Sequence, residues 1–403
     1  MKKYNIAVVG VGAVGIEMLR CLRQRNFPIG ELRVFARSAR DIEVDGQKYS
    51  VKAISSEGFD GIDIALFAGT EGEKGAAVTY ASEALKRGAV VIDNGADFRM
   101  DPGVPLVVPE VNAKDVNPIR NWFLLKSQRP QGHGLASYGQ SQRPQGHGLA
   151  SYGQSQRPEG HGLASYGQSQ RPEGHGLASY GQSHKGIIAN PNCSTIQLVV
   201  ALWPIYKRAG IKRLIVTTLQ ASSGAGRLAV EQLKEEISQI VSSEFKDVQA
   251  KVQNKTLPQQ LGFNVYPQIG SFTECDYTTE EWKLVKETHK IMHDKKIKVS
   301  ATCVRVPVRT GHSESVYIET VKPIEPDKAR DILSRAPGVI VIDEPKNNLY
   351  PMPKDIEGKD EVFVGRVRPD PFTKNGLWLW IVSDNLRKGA ALNAVQIAEL
   401  LIK

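Results

Sequence analysis

The sequence lacks the features that mark several large classes of protein. It holds 4 cysteines, Cys21, Cys193, Cys275 and Cys303, and no two of them form a CxxC pair. This scatter argues against a disulfide framework and against a metal site of the zinc type. No apolar run approaches the roughly 20 residues of a membrane-spanning helix. The N-terminus, MKKYNIAVVGVG, lacks a signal-peptide cleavage site, so we expect a cytoplasmic protein with no membrane partner.

The composition also lacks a strong bias toward either charge. Hydrophobic residues make up 41% and charged residues 24% of the 403 residues, as in an ordinary globular protein long enough for two domains. The formal net charge is +9, but the basic residues are dispersed among nearly as many acidic ones. An enzyme with phosphate-bearing substrates fits this mild excess as well as a nucleic-acid-binding protein does. We expect no nucleic-acid partner.

A tandem repeat interrupts the globular pattern. SQRPQGHGLASYGQ occupies residues 127–140 and 141–154, and SQRPEGHGLASYGQ occupies 155–168 and 169–182. Each copy has almost no apolar residues to offset its conformational entropy, so we expect 127–182 to be a disordered insertion in a surface loop. Two other functions stay open. The regularly spaced histidines can bind a metal ion. Arginine and tyrosine among glycines can bind single-stranded nucleic acid, although each copy is at most singly basic.

A glycine-rich turn near the N-terminus predicts a dinucleotide site. A strand pattern over residues 4–9 runs directly into GVGAVG at 10–15, and a helix pattern continues from Ile16. Between a strand and a helix, the GxGxxG spacing lets the backbone approach a pyrophosphate, which then lies at the helix N-terminus. The alternative is a plain glycine-rich turn.

The tip of the second strand indicates which dinucleotide is bound. The strand pattern at 31–36 ends in Arg37, Ser38, Ala39 and Arg40, where an NAD site usually carries an acidic residue. Arginine and serine suit the 2′-phosphate of NADP, so we predict NADP as the cofactor. The alternative is a solvated basic turn.

Further patterns in this half predict a parallel sheet. Strand patterns at 62–68 and 90–93 flank a helix pattern over 75–87, which is the alternation of a sheet with crossover helices. Arg99 follows the last of these strands at the end where ligands of such sheets gather. It is a candidate phosphate binder, with a surface salt bridge as the alternative.

Cys193 stands where a strand pattern turns into a helix pattern. The apolar residues 187–189 lead through Asn190, Pro191 and Asn192 to Cys193, and an amphipathic segment follows. A thiol at a helix N-terminus lies at the positive end of the peptide dipoles, which favours the nucleophilic thiolate. The alternative is a buried cysteine that serves only in packing.

Candidate partners of this cysteine follow later in the chain. Gln220 ends a strand pattern before a turn of small residues, where its amide can orient a carbonyl. Glu280 and Lys283 lie on one face of a helix start, as an active-site pair or as a solvated ion pair. Arg305 and His312 flank a glycine-containing turn, where histidine can act as a general base or can simply be exposed.

In their order and spacing these segments resemble the aspartate-semialdehyde dehydrogenase family. The matching blocks are GVGAVG, FARSAR, VIDNGADFRM followed by VVPEVN, IIANPNCST, LQASSGAG, TTEEWK, RVPVRTGHSES and DNLRKGAALNAVQIAE. The resemblance covers nearly everything outside 127–182. GVGAVG in place of the more usual glycine-alanine-threonine start is a mild departure.

The resemblance implies an α/β fold with two domains. One is a Rossmann-type dinucleotide-binding domain, expected at 1–126 and completed by a C-terminal helix at 386–403. The other is an α+β catalytic and dimerisation domain of the semialdehyde dehydrogenase type, expected at 183–385. The repeat at 127–182 lies between them. A homodimer or homotetramer is implied.

The resemblance also implies a role for each matching residue. Cys193 is implied to be the nucleophile that forms an acyl-thioester, and His312 the acid/base residue. Gln220 is implied to orient the substrate, while Glu280 and Arg305 hold its amine and its carboxylate. The implied phosphate binders are Arg99 and Lys283. The implied cofactor contacts are Gly12, Ala13, Val14, Gly15, Arg37, Ser38, Ser223, Gly224 and Asn385.

The implied reaction is the NADPH-dependent conversion of L-4-aspartyl phosphate into L-aspartate 4-semialdehyde and phosphate. It belongs to the biosynthesis of diaminopimelate, lysine, threonine, methionine and isoleucine. N-acetyl-glutamyl-phosphate reductase shares this scaffold, but its acetylated substrate amine leaves Glu280 without a cation to meet. A malonyl-coenzyme A reductase and a non-catalytic dinucleotide-binding protein are further alternatives. The joint presence of Cys193, Gln220, Arg305 and His312 argues against the last.

Overall fold

The computed structural model describes residues 2–69, 75–127, 186–251 and 255–403. The predicted insertion at 127–182 lies outside these ranges except for Ser127, the last residue of a helix, so the prediction for the repeat stays a prediction.

The described residues form two sheets with helices packed around them. The strands are β1 (Tyr4–Val9), β2 (Ile29–Ala36), β3 (Arg40–Val44), β4 (Gln47–Ala53), β5 (Ile64–Phe67), β6 (Val90–Asp93), β7 (Ile187–Ala189), β8 (Ile211–Gln220), β9 (Lys298–Arg305), β10 (His312–Thr320), β11 (Val339–Val341), β12 (Val362–Pro369) and β13 (Gly376–Ser383). The helices are α1 (Ala13–Gln24), α2 (Ala76–Lys86), α3 (Pro109–Asn112), α4 (Asn117–Ser127), α5 (Cys193–Ala209), α6 (Arg227–Ser242), α7 (Thr279–Ile291), α8 (Pro326–Ser334), α9 (Pro353–Ile356) and α10 (Leu392–Ile402).

The first sheet has the strand order β3-β4-β2-β1-β5-β6-β7 and is parallel from β4 to β7. This confirms the predicted parallel sheet, with its crossover helix α2. The carboxyl ends of the parallel strands meet at one edge, so the residues that directly follow β1, β2, β5 and β6 lie together there. That edge is where a dinucleotide binds in such sheets.

The edge of this sheet departs from the predicted parallel pattern. β3 and β4 form an antiparallel hairpin, joined by Asp45 and Gly46 at φ values of 48° and 79°. Asp-Gly is the pair that a two-residue hairpin turn of this kind favours. The signal was present in the sequence, but β3 and β4 were not predicted.

The strand before Cys193 belongs to the first sheet. Ile187–Ala189 pairs in parallel with β6, although these residues were assigned to the catalytic domain at 183–385. The chain therefore completes the first sheet before it turns into α5. The domain boundaries themselves stay predictions.

The second sheet has the order β11-β12-β13-β10-β8-β9 and is mixed, with β8–β9 and β11–β12 parallel and the other pairs antiparallel. The predicted strands at 214–219, 298–307 and 377–382 correspond to β8, β9 and β13. The strand β10, which begins at His312, was not predicted because the sequence was interpreted there as a turn.

α5 joins the two halves through its packing. Its side chains Leu198 and Leu202 are fully buried in one apolar cluster with Val91 of the first sheet and Val316 of the second. Burial of each such side chain contributes about 1.5–3 kcal/mol. The first turn of α5, which carries Cys193, is therefore held at the junction of the two sheets.

The chain ends against the first sheet. A π-helical turn, Arg387–Ala391, leads from β13 into α10. Val395 and Leu401 of α10 share an apolar cluster with Met18 of α1 and Ile119 of α4. The C-terminal helix thus covers one face of the first sheet.

Candidate active site

A cavity of about 750 Å³ runs from the glycine-rich turn after β1 to the N-terminus of α5. It brings together predicted site residues from distant parts of the chain. The predicted site residues on its wall are Gly12, Ala13, Val14, Gly15, Arg37, Ser38, Arg99, Cys193, Gln220, Ser223, Gly224, Glu280, Lys283, Arg305 and Asn385. His312 lies one layer behind this wall, against Gly224.

The glycine-rich turn has the geometry that a dinucleotide requires. A Cβ on Gly15 would lie 1.9 Å from the carbonyl oxygen of Gly10, so only glycine allows α1 to pack this closely on β1. A Cβ on Gly12 would meet nothing within 4 Å, which leaves the backbone open on the cavity side. Gly12 is the N-cap of α1 and has no side chain that could cap the first N–H groups of the helix. The first N–H groups of α1 can therefore hold a pyrophosphate.

The basic turn after β2 forms the far end of the cavity. Arg37, Ser38 and Arg40 all line it, and Arg40 Nη1 lies 3.4 Å from Ser38 Oγ. These exposed cations and the hydroxyl can reach a phosphate on the ribose of a bound dinucleotide.

Asn192 caps the helix that carries Cys193. Its Oδ1 accepts hydrogen bonds from the N–H groups of Ser194 and Thr195, at 3.0 and 3.2 Å. Its Nδ2 donates to Glu280 Oε1 at 2.8 Å. Asn192 was not among the predicted site residues, although asparagine directly before a helix start is a capping signal. It links the helix that carries Cys193 to the residue predicted to bind the substrate amine.

The surroundings of Cys193 disfavour the thiolate. Burial, followed by the negative charge of Glu280, raises the pKa of the Cys193 thiol to about 12, against the opposing charges of Arg99, Arg305 and Lys283. The sequence predicted that the helix N-terminus favours the thiolate. The site as a whole has the opposite effect on the thiol pKa, because desolvation and the nearby carboxylate outweigh the favourable charges.

Glu280 is a buried carboxylate with several partners. Burial works to raise its pKa, but Lys283 and the hydrogen bonds from Asn192 and Gln220 hold the pKa below its ordinary value. Gln220 Nε2 donates to Oε1 at 3.2 Å, and Lys283 Nζ lies 3.5 Å from Oε2. Glu280 therefore stays ionised inside the cavity, where it can meet a cationic group. The alternative of a solvated helix pair is wrong.

His312 and Arg305 meet at the backbone of Ala221. Arg305 Nη1 donates to the Ala221 carbonyl at 2.7 Å, and His312 Nδ1 accepts from the Ala221 N–H at 3.1 Å. Burial and then Arg305 lower the pKa of His312 well below its ordinary value, so the ring is neutral. With Nδ1 accepting, the ring proton lies on Nε2, which finds no hydrogen-bond partner within the described ranges. In this geometry Nε2 is a hydrogen-bond donor.

Arg99 is buried, and the alternative of a surface salt bridge is wrong. Its Nη1 lies 3.0 Å from Glu287 Oε1, and side chains of the pair are 6% and 2% exposed. Its Nε donates to the Asn190 carbonyl and its Nη2 to the Asn94 carbonyl, both at 2.9 Å. The sequence motifs do not single out Glu287 as a site residue. Its signal is spacing, since it lies seven residues after Glu280 and shares that face of α7.

The segment after β13 closes the site. Asn385 Oδ1 accepts from the Gly311 N–H at 2.9 Å, and its Nδ2 donates to Ser223 Oγ at 2.9 Å. A Cβ on Gly389 would lie 3.0 Å from the Cβ of Cys193. Gly389 was also missed, because nothing local in the sequence indicates that this turn packs against the cysteine.

Across the described ranges, no group of three or more His, Cys, Asp or Glu side chains is arranged to hold a metal ion. The same ranges contain no helix with the length and apolar character needed to cross a membrane.

The fold and the site together define a class of two-domain semialdehyde dehydrogenases. A family model described as "Semialdehyde dehydrogenase, NAD binding domain" matches residues 5–119. A second, described as "Semialdehyde dehydrogenase, dimerisation domain", matches residues 202–388. The first match contains the glycine-rich turn, and the second contains Gln220, Glu280, Arg305 and His312. The expected Rossmann-type domain followed by a dimerisation domain is thereby confirmed.

Individual relatives indicate which family within this class the chain belongs to. An aspartate-semialdehyde dehydrogenase of Aquifex aeolicus is 47% identical over 99% of this chain and 98% of its own length. One of Bacillus subtilis is 42% identical over 99% of this chain and 97% of its own. The crystal structure of aspartate semialdehyde dehydrogenase II of Vibrio cholerae, complexed with ASA, matches with a TM-score of 0.79 at 36% identity, over 100% of this chain and 99% of that one. The chain belongs to the aspartate-semialdehyde dehydrogenase family.

Proposed function

We propose that the chain is an NADP-dependent, phosphorylating aspartate-semialdehyde dehydrogenase. It converts L-4-aspartyl phosphate into L-aspartate 4-semialdehyde through an acyl-thioester on Cys193. The observation that carries this proposal is that Cys193 shares one cavity with a buried carboxylate, with Arg99, Lys283 and Arg305, and with the glycine-rich turn. The names of relatives at up to 47% identity support the same activity.

The chain's own residues account for the acyl transfer. The Cys193 thiolate attacks the acyl carbon, a C–S bond forms, and the bond from that carbon to the phosphate oxygen breaks. The backbone N–H of Cys193 at the start of α5 stabilises the oxyanion that develops, since Asn192 caps the N–H groups of the next two residues, and Gln220 orients the substrate. His312 is placed to donate a hydrogen bond through Nε2 from behind Gly224. Its acid/base role stays a prediction, because accepting a proton at Nε2 requires the bond from Ala221 to Nδ1 to break.

The charges in the cavity match the charges on the proposed substrate. Glu280 meets the ammonium group and Arg305 the α-carboxylate. Arg99 and Lys283 bind the leaving phosphate, whose oxygens need cationic N–H donors. An ionised Glu280 favours a free amine over the acetylated amine of N-acetyl-glutamyl phosphate, because an amide has no charge to offset the buried carboxylate.

The glycine-rich turn, Arg37, Ser38, Ser223, Gly224 and Asn385 would hold NADP. When bound, NADPH supplies the hydride that reduces the thioester to the aldehyde. Arg37 and Ser38 select the 2′-phosphate, so we expect NAD to support much slower turnover at equal concentration. In this proposal the product enters the biosynthesis of diaminopimelate, lysine, threonine, methionine and isoleucine. The enzyme acts as a homodimer or homotetramer in the cytoplasm.

The direct test is phosphate-dependent NADP reduction with aspartate semialdehyde. Folded protein without this activity would refute the proposal, and equal rates with NAD would refute the cofactor preference. Cys193→Ala should abolish turnover and leave NADP binding intact, because the thiol acts only in the chemical step. Substantial turnover by this variant would mean that another group is the nucleophile.

A further inference from the structure

Glu287 is a buried acidic residue that the proposed reaction does not use. It lies on α7, one turn beyond Lys283 and two turns beyond Glu280. Its Oε1 lies 3.0 Å from Arg99 Nη1, and its Oε2 accepts a hydrogen bond from the Asn192 N–H at 2.7 Å. The two oxygens of one carboxylate therefore hold two different parts of the site.

Both partners come from the nucleotide-binding half of the molecule. Arg99 lies in the segment after β6, and Asn192 lies in the turn between β7 and Cys193. Lys290, one turn further along α7, donates to the backbone carbonyls of Arg99 and Asp101 at 2.6 and 2.8 Å. α7 thus holds the Arg99 segment at both its side chain and its backbone.

The ion pair of Arg99 and Glu287 does not serve packing alone, because Arg99 faces the substrate cavity. Arg99 lines that cavity together with Cys193 and Lys283. A guanidinium group recognises an oxyanion through a flat fork of N–H donors, so the plane of the fork must be set before the anion binds. Glu287, with the Asn190 and Asn94 carbonyls, sets that plane.

We propose that Glu287 is a positioning residue that couples the phosphate site to the nucleophile. It orients Arg99 toward the phosphate oxygens and, through the Asn192 N–H, holds the start of the Cys193 helix at a set distance from that site. This inference rests on the proposed function. The coupling matters because the bond to phosphate breaks and the bond to sulfur forms at the same carbon, so a small misplacement of either group slows the step.

The test is a double-mutant cycle. In Glu287→Gln the side-chain NH2 group must face one of two donors, Arg99 or the Asn192 N–H, so one bond is lost. We expect the KM for phosphate to rise about ten-fold while the KM for aspartate semialdehyde changes by less than about two-fold. In an Arg99→Lys background, Glu287→Gln should add little further change, because its effect on phosphate acts through Arg99. Additive effects in the cycle would overturn the proposal.

Glu281→Gln is the matched control. Glu281 is also a buried carboxylate on α7, but it accepts from the N–H groups of Thr278 and Cys303 and caps the helix. Its loss should lower thermal stability and leave the KM for phosphate unchanged. If Glu281→Gln and Glu287→Gln raised the KM for phosphate equally, the effect would be structural and the proposal wrong.

A second variant and a second readout guard against misfolding and against failure of the proposed function. Glu287→Asp keeps the charge beside Arg99 but is too short to reach both partners, so it should also raise the KM for phosphate. A folded Glu287→Asp with a wild-type KM for phosphate would overturn the coupling.

If the wild type showed no phosphate-dependent turnover, the proposed function would fail. The coupling would then be judged by inorganic phosphate protecting Cys193 from iodoacetamide, which must need about ten-fold more phosphate in Glu287→Gln than in wild type or Glu281→Gln.

Discussion

Glu280 acts on several groups of the site at once. Its Oε1 accepts from both Asn192 and Gln220, and its negative charge adds to burial in raising the pKa of the Cys193 thiol. An ammonium group bound at Glu280 would offset that charge. The proposed substrate would therefore favour the thiolate that attacks it.

Replacing Glu280 by Gln should shift the pH profile of Cys193 alkylation to lower pH. Removal of the carboxylate removes a cause that raises the pKa of the thiol, so the thiolate forms at lower pH. The measurement is the rate of reaction with iodoacetamide from neutral to alkaline pH. Labelling of the exposed Cys275 is subtracted with the Cys193→Ala variant. Glu281→Gln is the control, and an unchanged profile in Glu280→Gln would contradict the electrostatic account.

At the scale of single elements, the first turn of α5 is stabilised by the same residue that connects it to Glu280. Asn192 Oδ1 caps two N–H groups, while its Nδ2 donates to Glu280. The two ends of one side chain thus serve stability and site geometry separately. They can be separated by substitution.

Asn192→Ala should lower the free energy of unfolding by about 1 kcal/mol, the usual cost of a lost N-cap. Asn192→Asp keeps the capping oxygen but brings a second negative charge beside Glu280. It should therefore lower turnover strongly, because like charges this close in a buried site oppose each other. Denaturant unfolding and turnover are measured for both variants. Equal turnover in Asn192→Asp and wild type would show that the bond to Glu280 is not needed.

Local sequence patterns predict some of the strands and helices and not others. β1, α1, β6 and the start of α5 follow from apolar runs, glycine turns and an asparagine cap, all of which act within a few residues. The β3–β4 hairpin was missed despite its Asp-Gly turn. β10 was missed because the turn before it contains glycine and polar residues.

At the scale of the whole molecule, the π-helical turn between β13 and α10 connects the second sheet to the helices that cover the first. Arg387 lies in this turn and is buried between Glu17 of α1, at 2.7 Å, and Asp360, with a further hydrogen bond to Gln24. The adjoining Gly389 packs against Cys193. The position of this turn therefore affects both halves of the cavity.

Arg387→Ala should lower the free energy of unfolding by about 3 kcal/mol, because it leaves the buried Glu17 and the half-exposed Asp360 without their shared cation. Arg309→Ala removes an exposed ion pair with Glu357 and should cost less than about 1 kcal/mol. Chemical denaturation of the two variants beside wild type gives the comparison. Similar losses in both would mean that the Arg387 network is no more than a surface ion pair.

The sequence by itself determined the elements and the chemical groups of this protein: a glycine turn between strand and helix, a cysteine at a helix start, and the basic and acidic residues that can serve an acyl phosphate. These depend on residues close together in the chain. Only the tertiary structure decided which groups meet and in what charge state. Arg99 pairs with Glu287, and Gly389 contacts Cys193, although these residues are far apart in the chain. The pKa of the Cys193 thiol is raised because packing of these segments removes the thiol from water, and no short stretch of sequence contains that effect.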